Sequence, residues 1–122
     1  MHSMKPIYYI ATQQEFAEAQ TIGHLAPSSF YEEGFVHCSF ADQTLGVAHK
    51  HFRGQEGLLL LEIDRTKLAA PVIEENVSSG PDLYPHIYGI LNLSAIQAVF
   101  SFPRTQDGSF ALPHELLHEE RP

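Results

Sequence analysis

The sequence predicts an α+β domain, and three observations carry that expectation. A short run of β-branched and aromatic residues, Ile7 to Ile10, passes directly into a helix with its own cap. A nearly continuous aliphatic run, Leu58 to Asp64, has the length and composition of a strand covered on both faces. Strands and helices then mix irregularly, without the repeated βαβ period of a doubly wound sheet.

The elements follow in order. After the first strand, Thr12 offers a capping hydroxyl and Glu15 completes a capping box, so a helix runs from there to Gly23. Ala26-Pro27-Ser28-Ser29 reads as a loop. Gly34-Phe35-Val36-His37-Cys38-Ser39 has strand character and leads into a second helix, capped by Ser39 or Asp42 and ending at Gly54. On that helix Leu45, Ala48, His49 and Phe52 share one face. The central strand over 58–64 comes next, then a strand over Leu68 to Ile73, a loop at Ser78-Ser79-Gly80-Pro81, and a last strand from Ile96 to Phe102 that stops at Pro103.

Composition narrows the function classes. The chain has 122 residues, seven Lys plus Arg against fifteen Asp plus Glu, a net charge of −8, and eight His. That balance argues against DNA as a partner, because phosphate-backbone binding needs clustered cations. One compact domain over residues 7–103 is expected, with 1–6 as an extension or vector scar and 104–122 as a docked or frayed tail. Cys38 is the single cysteine, so no internal disulfide forms. No apolar run is long enough to cross a membrane, and the expected location is the cytoplasm.

Two groups of histidines compete for chemical roles. His114-Glu115-Leu116-Leu117-His118 matches the HExxH zinc pattern by letters, yet too few residues follow to supply a third ligand, and a short amphipathic helix explains it. No metal is expected. His49 and His51 diverge by about 200° on a helix and cannot chelate one ion, and His24 follows a helix-ending glycine. His37 and His86 differ. Strand alternation puts Phe35, His37 and Ser39 on one face and Val36 and Cys38 on the other, and Tyr84-Pro85-His86-Ile87-Tyr88-Gly89 interleaves aromatics with a histidine between Pro and Gly. Both segments suit the wall of a cleft.

The segments GFVHCS, LLLLEID and YPHIYG, in this order, resemble the bacterial family named domain of unknown function 952, over Ile7 to about Phe102. The resemblance implies an ADP-ribosyltransferase-like fold: two small, packed, mainly antiparallel sheets with two or three helices around a cleft for NAD⁺. By that resemblance His37 and Ser39 contact the ribose and nicotinamide amide, and Tyr88 stacks on the nicotinamide. Glu74, preferred over Glu75, supplies the carboxylate, and His86 is the second catalytic candidate. NAD⁺ is then a substrate, and the partner a small nucleotide ligand. RNA is disfavoured, because the arginines lie outside the motifs and the net charge is negative. Two alternatives stay open: a non-catalytic module binding a small ligand or partner in a His-lined cleft, and a metal-dependent hydrolase using His37 and His86 as ligands.

Overall fold

The fold was determined as a computed structural model, which describes residues 5–76 and 80–117. Its first unit follows the sequence closely. Strand β1 (Ile7–Thr12) runs into helix α1 (Gln13–Ile22), whose first turn is closed by the Glu15 N–H donating to Thr12 Oγ1 at 3.0 Å. Gly23 ends the helix in the left-handed region, at φ 98°, where a Cβ would be strained.

The aliphatic run becomes β4 (Leu58–Ile63), the middle of an antiparallel sheet ordered β1-β4-β8 with β8 at Ile96–Phe102. Alternation divides β4 between two cores. Leu58 and Leu60 face Tyr8, Ile10, Ala48 and Phe102, whereas Leu61 and Ile63 face Ile7, Ala11, Val36 and Ile87. Each buried Leu or Ile contributes about 1.5–3 kcal/mol of hydrophobic stabilisation, so an all-aliphatic strand at this position serves both cores at once. Phe110 and Leu116 from the C-terminal segment complete the first cluster.

The other ladders are short and non-local. β3 (Val36–His37), β6 (Tyr84–Ile87) and β5 (Val72–Glu75) form a second antiparallel sheet in the order β3-β6-β5. β2 (His24–Leu25) pairs with β7 (Leu91–Asn92) in a two-stranded ladder. The α+β class and antiparallel pairing stand, but the described residues form three small sheets rather than two. Helices α2 (Ser28–Glu33) and α3 (Thr44–His51) complete the set.

Several local expectations are corrected. The loop expected at 26–29 ends in α2, which starts after Pro27 and stops at Gly34 in the left-handed region. The strand expected over 34–39 forms ladder pairs only at Val36 and His37, because Ser39 pairs instead with Tyr8 of β1. The strand expected over 68–73 begins at Val72, since residues 65–67 form a 3₁₀ turn capped by the Asp64 side chain on Thr66 N at 3.0 Å. The second helix buries Thr44 and Ala48, with Leu45 and Phe52 only partly covered. His24, directly after the helix-ending Gly23, begins β2. Part of the 78–81 loop lies outside the described residues.

The glycine closing the YPHIYG segment is fixed by packing. Gly89 does not have positive φ, but a Cβ there would meet the Ala70 Cβ at 2.5 Å. Gly89→Ala should therefore lower stability in urea unfolding by about 1–3 kcal/mol, and a double-mutant cycle with Ala70→Gly should show favourable coupling. Independent, additive effects would mean that this approach does not set the requirement.

Candidate functional site

Register explains why the two histidines meet. β3 and β6 are antiparallel with His37 directly opposite His86, so both side chains leave the same face of the sheet. The rings lie edge to face, with centroids 5.2 Å apart and planes at 75°. Phe35, two residues before His37 and on the same face, stacks on His86 at 4.2 Å and 17°. The two imidazoles differ in exposure: the His37 side chain is 47% exposed and that of His86 4%.

Each histidine has its own carboxylate. His37 Nε2 lies 2.8 Å from Glu33 Oε1, at the end of α2, and His86 Nδ1 lies 2.9 Å from Glu75 Oε2 on β5. Tyr88 donates its hydroxyl to the same Glu75 oxygen. The Tyr88 hydroxyl first and the His86 imidazole second hold the Glu75 carboxyl below the usual carboxylate range, and the same contact raises the Tyr88 phenol. Glu75 is thus an ionised acceptor shared by two donors.

The other residues singled out from the sequence fall as follows. Ser39 is buried, and its Oγ lies 2.9 Å from Thr44 Oγ1, which donates in turn to the Phe40 carbonyl. Tyr88 does not line the cleft; it stands behind Glu75 with its ring 5.2 Å from Phe35, and Tyr84 occupies the cleft wall. Glu74 is on the opposite face of β5, paired with Arg65 at 3.0 Å, so the carboxylate beside His86 belongs to Glu75. Cys38 packs into the core, where burial pushes its thiol up.

These groups open on a cleft of about 540 Å³ between β1, β3, α2, α3 and the β5–β6 hairpin. His37, Ser39, Glu75 and His86 all border it. Among the described residues no group of three or more His, Cys, Asp or Glu is placed to hold a metal ion. His118 of the HExxH pattern lies outside the described residues, and residues 114–117 form a 3₁₀ turn. His49 has a structural role, accepting the Phe110 N–H at 3.3 Å. No helix among the described residues is long and apolar enough to cross a membrane.

The motif segments that build the cleft fall within one family match. The profile described as "Protein of unknown function (DUF952)" covers residues 10–99. The chain belongs to this family. Its fold is shared by the crystal structure of protein CC0527 from Caulobacter crescentus, 29% identical, with a TM-score of 0.84 over 93% of this chain and 99% of that one. A double mutant of CC0527 gives 28% identity and a TM-score of 0.83 over the same shares. The solution NMR structure of CC0527 gives 27% and 0.70, over 93% of this chain and 95% of that one. Among curated proteins no sequence matches.

The Glu75 contacts predict an acid-side signature of this DUF952 chain. A carboxyl depressed in the folded state contributes stability that is complete above its unfolded pKa, about 4.3, and is lost as pH falls through the lower folded value. Tyr88→Phe removes the larger of the two causes. Carbon-detected NMR should then show Glu75 titrating at higher pH, and the stability difference from wild type should vanish in acid. An unmoved Glu75 titration would contradict the assignment.

Proposed function

We propose that the chain binds NAD⁺ or a related nucleotide in the His37–His86 cleft and acts on the nicotinamide–ribose bond, as an ADP-ribosyltransferase or NAD glycohydrolase does. The observation that carries this reading is the cross-strand pair of imidazoles with an ionised carboxylate beside it on the same wall. Breaking that bond develops positive charge on the ribose, and a carboxylate held ionised next to the reacting carbon stabilises it. Glu75 takes that role in place of Glu74. His37, exposed and oriented by Glu33, supplies the polar contact to the ribose, with the buried Ser39 hydroxyl at the cleft floor. Tyr84 is the aromatic surface on the wall, and Tyr88 acts as a positioning residue through Glu75.

In hydrolysis the C–N bond to nicotinamide breaks, its electron pair leaves with neutral nicotinamide, and water or an acceptor hydroxyl adds to the ribose with loss of a proton. His86, with Nδ1 held by Glu75, presents Nε2 as a group able to accept that proton. A second reading, a non-catalytic binding module, is favoured by one observation: both of Glu75's contacts are internal to the fold.

Calorimetry with NAD⁺ and ADP-ribose, together with chromatographic detection of released nicotinamide, separates the readings. Wild type should bind both ligands, and His37→Ala should weaken binding by roughly tenfold or more. Glu75→Gln should retain binding while nicotinamide release falls about 10²-fold or more. Binding without release from wild type selects the module. Absence of binding at millimolar ligand would sink the nucleotide reading.

A further inference from the structure

We propose that the α3 side of the same cleft is a phosphate subsite, in which Lys50 ion-pairs with the phosphate groups of the ligand and Gly46 leaves the space they occupy. The inference rests on the nucleotide reading and extends it to the half of the ligand remote from the histidines.

Charge is the first argument. Gly46, Val47, Lys50 and His51 all border the cleft, as two i, i+4 pairs, so one face of α3 forms its wall. Among the described residues lining the cleft Lys50 is the one fixed cation, and no ion pair to it is formed there. In a chain of net charge −8 that is a selective placement. The carboxylates Glu33 and Glu75 border the cleft from α2 and β5 instead, beside the histidines. The walls therefore have opposite polarity, complementary to a ligand with a cationic ring at one end and a pyrophosphate at the other. Thr44 at the start of α3 touches Ser39, and Lys50 lies six residues further on, about 9 Å along the helix axis. The C-terminal end of a helix does not itself attract anions, so the side chains must carry this contact.

Gly46 is the second, independent argument. Glycine inside a helix is unfavourable relative to alanine. Nothing in the protein requires it here: its φ is not positive, and an added Cβ would meet no atom within 4 Å. Bare backbone on the cleft wall, without a packing reason, is what close approach of a ligand would use.

The test is calorimetry with ADP-ribose, inorganic pyrophosphate and nicotinamide riboside on wild type, Lys50→Glu, Gly46→Leu and His37→Ala. Lys50→Glu should weaken ADP-ribose and pyrophosphate about tenfold or more and leave nicotinamide riboside unchanged. Gly46→Leu should hold or raise the Tm while weakening ADP-ribose, a combination that a purely structural glycine would not give. ADP-ribose affinity unchanged in Lys50→Glu but lost in His37→Ala overturns the subsite and leaves the nucleotide reading in place. Lys50-dependent pyrophosphate binding without nicotinamide riboside binding overturns that reading and keeps the subsite. Failure of all three ligands to bind wild type overturns both.

Discussion

Everything at the cleft depends on one four-residue segment that bonds to two sheets. Val36 and His37 pair with β6, the Cys38 N–H reaches the Pro85 carbonyl at 3.1 Å, and Ser39 then exchanges two backbone hydrogen bonds with Tyr8 of β1, at 2.8 and 2.9 Å. The sequence contains the reason for the switch. In an antiparallel ladder a residue's N–H and C=O point to the same neighbour, so the donor that Pro85 lacks is missing on the β3 side. Pairing with β6 cannot continue there, and the chain finds its next partners on β1. A proline inside the middle strand of a sheet is otherwise out of place; here it falls where the ladder ends.

Buried polar groups away from this junction are matched as well. Among the described residues no buried side-chain nitrogen or oxygen lacks a partner. Glu62, buried on the central strand, accepts from Tyr8 Oη at 2.7 Å and from Gln97 Nε2 at 2.9 Å. Left unpaired, a buried carboxylate would cost several kcal/mol, so these donors are a condition of the strand's position. Asn92 does similar work at the periphery, donating to the Lys67 carbonyl and accepting from Ala69 N–H, which ties the 65–71 connection to β7. An acidic chain thus spends its carboxylates on specific donors, two of them histidines facing the cleft.

What was legible in the sequence was local. β1, the Thr12 cap, the central strand and β8 each have a pattern within one short window, and each formed within a residue or two of expectation. The two-residue β2, β3 and β7 have no such pattern, because their existence depends on partners 49 to 68 positions away. Helix α2 was hidden behind Pro27-Ser28-Ser29, although Gly34 was an available stop signal, and with it Glu33 was missed. The choice between Glu74 and Glu75 turned on parity. Once β6 places Ile73 opposite His86, Glu75 falls on the histidine face and Glu74 on the other, a fact fixed by register rather than by composition. Tyr88 was assigned to the cleft surface, but it stands behind Glu75, and Tyr84, four residues earlier on the same face, borders the cleft instead.

The carboxylates also decide which nitrogen each imidazole offers. Glu33 lies against Nε2 of His37 and Glu75 against Nδ1 of His86, so the ring nitrogen left without a carboxylate is Nδ1 in the first and Nε2 in the second. Their packing differs as well. His86 is clamped by burial, by stacking on Phe35 and by a carboxylate that Tyr88 also holds, whereas His37 and Glu33 are both about half exposed. The cleft therefore presents one imidazole packed on several sides and one half open to solvent. Of eight histidines in the chain, this pair owes its character to the cross-strand register that put two identical side chains face to face in different surroundings.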